Sequence, residues 1–243
     1  MTPDTPTTEP ETASAEDLRK LLSSVRYVLW DLDGPICELF AGHSAAKIAS
    51  ELVSLLGPGE QFKLLPMEER LSKDPHGMLA AISRRRPEAD LIVKLEEWLT
   101  GEELKAVDSA LETPHAEDVI QAWAGQGVQL AVSTNNSARA ATAYLAAKGL
   151  DRFFPHVYGR TRDLRLMKPH PNSLSLALDA MSADLSEALM LGDAPTDYEA
   201  ARTAGVPFLG YACDPLKVQA FRKAGVEPSR MVRSLEEVWD VLR

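Results

Sequence analysis

The chain has 243 residues, of which 45% are hydrophobic and 26% are charged. At about 150 residues per domain this predicts one or two soluble globular domains, able to bury a core without disulfides. The 26 basic and 36 acidic residues leave a net charge of −10, which repels phosphate backbones and anionic membranes and argues against nucleic acid and membrane surfaces as partners.

Residues 1–17, MTPDTPTTEPETASAED, contain no Lys or Arg and almost nothing apolar. They read as a disordered tail, without the basic start and apolar run of a secretory signal. No apolar stretch reaches the roughly 18 residues of a membrane span. Two cysteines, Cys37 and Cys213, cannot build a disulfide framework. A reducing, cytoplasmic compartment is the expectation.

The first strong signal is Arg26–Asp33, RYVLWDLD. Its apolar run, Tyr27 to Trp30, predicts a strand buried on both faces, ended by two carboxylates and Gly34. The stretch from 42 to 113 differs, because it holds no convincing strand. Ala45–Leu56 has helical spacing and stops at Gly57-Pro58-Gly59. His76–Arg86, Asp90–Leu99 and Glu102–Leu111 read as further helices, separated by Pro87 and Gly101. Residues 42–113 are therefore expected to form a helical insert, and 18–41 with 114–243 the main domain.

Beyond the insert, Val128–Val132, Ala188–Leu191 and Val206–Tyr211 are short apolar runs that predict buried strands. Between and after them lie predicted helices: Ser137–Lys148, Pro171–Met181, Thr196–Ala204 and Leu235–Leu242. The alternation predicts an α/β fold, with a mostly parallel sheet and helices on both faces.

Ligands of such sheets bind beyond the carboxyl ends of the strands. Four polar clusters fall there: Asp31 and Asp33, Thr134 and Asn135, Lys168, and Asp193 with Asp197. Each alone has a simple reading. Asp-Gly is a common strand-end turn, an acid in a first helical turn is favourable anyway, and a lone lysine is usually on the surface. Together, several carboxylates in one crevice need a cation. Carboxylates without a nearby His or Cys favour Mg²⁺. Lys168, Thr134 and the backbone N–H groups after Asp31, Leu32 among them, could then hold phosphate oxygens. One carboxylate would be free to attack phosphorus, and another, two residues along the strand on the same face, to move the proton.

The segments Asp31-Leu32-Asp33-Gly34, Thr134-Asn135, Lys168-Pro169 and Gly192-Asp193-Ala194-Pro195-Thr196-Asp197 resemble, in order and spacing, the four motifs of the haloacid dehalogenase-like hydrolase superfamily. Within it the chain looks most like the phosphoglycolate phosphatase-like phosphatases. The resemblance runs from residue 26 to about 215 and implies a Rossmann-like core with a helical C1-type cap at 42–113. It also implies the roles. Asp31 is the nucleophile and a Mg²⁺ ligand. Asp33 is the general acid/base and binds Mg²⁺ through its backbone carbonyl. Thr134 binds a phosphoryl oxygen, and Lys168 neutralises charge. Asp193 is a further Mg²⁺ ligand, and Asp197 orients a metal-bound water or Lys168. Asp31, Leu32, Asp33, Thr134, Asn135 and Lys168 surround the phosphate.

The implied reaction is Mg²⁺-dependent hydrolysis of a small phosphate ester through an aspartyl-phosphate. The alternatives are a phosphomutase acting on a sugar phosphate and a non-catalytic module that kept the fold. The motif departs from its usual form at Pro35, where threonine is common, so a hydroxyl and an N–H are lost. Arg84–Arg86 form a basic run that suits a solvated helix face or an anionic leaving group. The five histidines show no paired metal spacing. His170 falls near the expected rim, and Cys37 reads as a small buried hydrophobe. The sequence leaves monomer and homodimer equally open.

Overall fold

A computed structural model describes residues 12–57, 59–87 and 89–243. Its elements in chain order begin with α1 (Ala15–Leu22), β1 (Tyr27–Trp30) and β2 (Cys37–Glu38). Five helices follow: α2 (Ala45–Ser54), α3 (Glu60–Leu64), α4 (Met67–Arg70), α5 (Pro75–Arg85) and α6 (Ala89–Val107). Then come β3 (Leu111–Glu112), α7 (Ala116–Gly125), β4 (Gln129–Ser137), α8 (Ala138–Ala147) and β5 (His156–Arg160). The chain closes with α9 (Asn172–Met181), β6 (Ala188–Gly192), α10 (Pro195–Ala204), β7 (Phe208–Tyr211), α11 (Pro215–Ala224), β8 (Met231–Val232) and α12 (Leu235–Leu242).

Six strands form one sheet in the order β5-β4-β1-β6-β7-β8, and every adjacent pair is parallel. The apolar runs alternate faces with period two, as a doubly covered strand must. Val28 and Trp30 of β1, Leu130 and Val132 of β4, and Leu189 and Leu191 of β6 share one core with α1, α7, α8 and α12. Leu29, Ala131 and Met190 point the other way, into a core with α9, α10 and α11. The α/β class expected from the sequence is thus the class observed. The chain runs from β1 to β4 and β5 on one side, then crosses to β6 on the other. The carboxyl ends of β1, β4 and β6 therefore meet at a topological switch point, where such sheets bind ligands.

The helical insert has its own apolar cluster. Ile48 and Leu52 of α2, Met78, Leu79 and Ile82 of α5, and Leu95 and Leu99 of α6 pack together, joined by Leu164 and Met167 of the main body.

Several expectations need correction. Residues 1–11 lie outside those described, but the leader does not stay irregular to residue 17. Ser14 caps α1 in a reciprocal capping box with Asp17, and Leu18 and Leu22 enter the core; such boxes satisfy the free amides of a first turn. Gly101 does not divide the insert, because α6 runs unbroken through it; an interior glycine costs about 1 kcal/mol and packing outweighs that. The 42–113 stretch also contains a strand, since Leu111–Glu112 pairs antiparallel with Cys37–Glu38. Such a two-residue ladder has no periodicity to read. Edge strands β5 and β8 escaped for related reasons: one is half-buried and polar, the other only two residues long.

Candidate active site

Asp31 follows β1 directly, and its N–H continues the ladder to Leu191 O at 2.9 Å. Strand pairing on both sides therefore fixes where its carboxylate starts. Lys168, 4% exposed, reaches the same point from another segment. Its Nζ lies 3.0 Å from Asp31 Oδ1, 2.5 Å from Asp197 Oδ1 and 2.8 Å from Ser133 O. Burial disfavours the ammonium, but Asp197 and Asp31 outweigh it, and the lysine stays charged above its usual range. Asn135 sets this reach. Its amide Nδ2 donates to Lys168 O at 3.1 Å, and Lys168 N donates to Asn135 Oδ1 at 2.8 Å. The side chain of Asn135, expected beside the phosphate, is thus occupied in positioning Lys168.

Asp197 is almost fully buried in the first turn of α10. Its Oδ2 accepts the amides of Asp193 and Ala194 at 3.1 and 3.0 Å, and its Oδ1 accepts Lys168. Asp193 pairs with Lys217 of α11, a residue that no sequence signal marked because it stands 24 positions beyond its partner. Burial, reinforced by the charge of Asp31, pushes the carboxyls of Asp193 and Asp197 upward despite these lysines. Asp33 rises to about 6, chiefly through burial and then through Asp31, against the Leu39 N–H that its Oδ1 accepts at 2.8 Å.

The close approach depends on glycine. Gly34 has φ +115°, and a Cβ there would run into the Asp193 carboxylate. A Cβ on Gly192 would likewise meet Asp197. Oxygens of Asp31, Asp193 and Asp197 lie within 4.8 Å of one another. Among the described residues, two ammonium groups, Lys168 and Lys217, stand against the site's four carboxylates, Asp33 included, and the cluster of Asp31, Asp193 and Asp197 contains no sulfur or imidazole. A hard divalent cation such as Mg²⁺ fits this donor set. Asp31 and Asp193 would hold it. Asp197 is the poorer ligand, since both its oxygens already accept hydrogen bonds, and the Asp33 carboxylate is turned to Leu39.

Two expected phosphate contacts are engaged elsewhere. The Leu32 N–H donates to Asp31 Oδ1 at 2.8 Å. The Thr134 hydroxyl donates to Asn136 Oδ1 at 3.0 Å and accepts Asn136 N at 3.2 Å, so holding a phosphoryl oxygen requires it to rotate. The hydroxyl missing at Pro35 has a counterpart: Thr113 Oγ1 donates to Gly34 O at 2.5 Å from beyond β3.

Asp31, Asp33, Thr134, Asn135, Lys168, Asp193 and Asp197 line a cavity of about 910 Å³. To the same cavity α5 contributes His76, Gly77, Ala80, Ser83 and Arg84, a spacing that places them on one helix face. The basic run of the sequence divides accordingly. Arg85 pairs with Glu69 and Arg86 with Glu60, while Arg84 turns to the cavity. His170 also lines it. Cys37 is fully buried in the core, as its small apolar character suggested. No helix among the described residues is long and apolar enough to cross a membrane.

Comparison with known proteins agrees with this geometry. The family model of haloacid dehalogenase-like hydrolases matches residues 25–205. A phosphoglycolate phosphatase of Rhodospirillum rubrum is 30% identical over 207 residues, covering 78% of this chain and 82% of that protein. A probable phosphatase, IndB, of Dickeya dadantii is 28% identical, covering 87% and 90%. CbbY of Rhodobacter sphaeroides, solved with phosphate, superposes with a TM-score of 0.66 at 20% identity, over 88% of this chain and 96% of that one. With the motif residues gathered at one switch point and the family model spanning most of the chain, this protein belongs to the haloacid dehalogenase-like hydrolases, on the phosphatase side of that family.

Proposed function

We propose that the chain hydrolyses a small phosphate monoester through a phosphorylated Asp31. The observation that carries this reading is the Lys168 ammonium, buried 3.0 Å from Asp31 Oδ1 at the carboxyl ends of the strands. A free Asp31 oxygen attacks phosphorus and the bond to the ester oxygen breaks. Asp33 delivers a proton to that oxygen, a role supported by its pKa of about 6, which keeps a protonated fraction near neutrality. Asp33 then takes a proton from the water that attacks the phosphoaspartate, releasing phosphate and restoring Asp31. Lys168 holds positive charge beside the phosphoryl oxygens, and Thr134 offers its hydroxyl to one of them. Bound Mg²⁺ would supply the remaining positive charge that phosphoryl transfer needs.

In this reading residues 42–113 are the cap over a core of 18–41 and 114–243, supported by the separate apolar cluster of the insert. A cytoplasmic setting fits two unpaired cysteines. The test is phosphate release from p-nitrophenyl phosphate and from 2-phosphoglycolate, with and without Mg²⁺. Asp31→Asn is expected to lower turnover about 10³-fold or more while the chain stays folded. Turnover within tenfold of wild type in that variant would sink the mechanism.

A further inference from the structure

We propose that His76 is the residue by which the helical insert contacts the leaving group of the ester, and that buried Glu103 and Arg160 fix its ring for that contact. The proposal rests on the phosphatase reading and adds to it the class of leaving group: one bearing a hydroxyl, carbonyl or carboxylate oxygen near the ester carbon.

The argument starts from α5. Between His76 and Arg84 its cavity face carries only Gly77, Ala80 and Ser83. Those small side chains leave room, and the imidazole is the first hydrogen-bonding group of the face. The ring is held from behind. Its Nε2 lies 2.7 Å from Glu103 Oε1. A carboxylate only accepts, so that nitrogen carries the hydrogen and Nδ1 is left for a ligand, accepting from a hydroxyl in the neutral ring and donating to a carbonyl or carboxylate oxygen in the protonated one. His76 Nδ1 has no hydrogen-bond partner among the described residues; the nearest carboxylate, exposed Asp74, is 3.9 Å away. The side chain is 14% exposed, and it lines the cavity together with Asp31 and Asp33.

Glu103 is itself fixed from the opposite side of the junction. It is fully buried on α6 and accepts Ser137 N at 3.0 Å and both terminal nitrogens of Arg160 at 2.8 and 3.0 Å. Asn136 Nδ2 stands 3.4 Å from both Glu103 Oε1 and His76 Nε2. Arg160, from β5, also donates to Glu96, Thr100 and Asn135 O. The imidazole is thus tied through one carboxylate to β5 and to the start of α8, the frame that also positions Asn135. A buried ion pair of this kind is a poor source of net stability compared with apolar packing. Its evident product is orientation of a ring that faces the reacting groups. The imidazole and Asp33, the acid that protonates the leaving oxygen, line the same cavity and so address the same part of the substrate.

Three chains test this: wild type, His76→Ala, and Glu103→Asp, which keeps the charge facing Arg160 but shortens the reach to His76. Each is assayed on 2-phosphoglycolate, glycerol 3-phosphate and ethyl phosphate, with kcat and KM measured separately. Wild type is expected to favour the better oxygen-bearing ester over ethyl phosphate at least tenfold in kcat/KM. His76→Ala should erase that ratio, mainly through KM, and Glu103→Asp should remove part of it. Calorimetric binding of the same esters to Asp31→Asn, with and without His76→Ala, separates the two readings. His76-dependent binding without turnover in wild type would end the phosphatase reading and leave the contact standing. A preference that survives His76→Ala, or a loss equal on all three esters, overturns the contact whatever the turnover.

Discussion

The floor of the cavity and the junction between α6 and β5 both bury carboxylates against basic side chains, with opposite results. At the junction, Glu103 is held down to about 2: burial opposes the charged form, but Arg160 and His76 overcome it. At the cavity floor, Asp33, Asp193 and Asp197 are all pushed up. The difference is one of stoichiometry. Glu103 is surrounded by donors, whereas the floor sets four carboxylates against Lys168 and Lys217. A surrounded charge is finished and can only orient its neighbours. An excess of negative charge is unfinished until a cation arrives, and that asymmetry separates a fixing site from a reacting one.

The comparison can be broken first at the junction. Arg160→Met should destabilise the chain by about 3–5 kcal/mol, because it leaves Glu103 buried without its counter-charge. The loss, read from urea unfolding, should be largest above pH 4.5. It should shrink as pH falls toward 2, where protonation removes the orphaned charge. An equal loss at all pH values would mean that Arg160 acts by packing alone.

At the floor, Lys168→Met should cut turnover by about 10²–10³-fold, the usual cost of losing one positioned charge. Activity near wild type would show that Lys168 is only a structural partner of Asp197. Mg²⁺ at about 100 times its dissociation constant should add about 2.7 kcal/mol to unfolding stability. Asp193→Asn should remove most of that gain; an undiminished gain would place the cation elsewhere.

The smallest effect sharpens the contrast in sign. The folded pKa of Asp33 lies near 6, above its ordinary 3.8. Its favourable contribution is complete below 3.8 and is lost as pH rises through 6. Asp33→Asn, whose amide oxygen can still accept the Leu39 N–H, should therefore gain on the order of 1–3 kcal/mol relative to wild type at pH 8, and almost nothing at pH 4. Thermal unfolding at both values checks it, and a gain at pH 4 as large as at pH 8 would contradict a burial origin.

The elements that sequence pattern revealed are those with long apolar periods or sharp punctuation. Tyr27–Trp30 and Ala188–Leu191 were legible because a strand covered on both faces has no choice of residue type. The helix of α10 was legible from its ending at Gly205, which has φ +75°. What escaped was short or was decided by partners. Leu111–Glu112 becomes a strand only because Cys37–Glu38 lies beside it. Gly101 reads as a breaker, yet α6 continues through it.

Four motif clusters, by order and residue type, were enough to choose Asp31, Asp33, Lys168, Asp193 and Asp197 and the class of chemistry. They could not assign the partners. Lys217 carries no mark until α11 brings it to Asp193. Asn135 looks like a phosphate ligand until its amide is seen locked to Lys168. His76 looks like any unpaired histidine until Glu103, 27 residues away, takes its Nε2. Side-chain chemistry and local period are properties of the chain, so the sequence determined the fold class and the candidate reacting groups. Which donor meets which carboxylate depends on contacts between distant segments, and those exist only after the sheet has closed and the insert has packed against it.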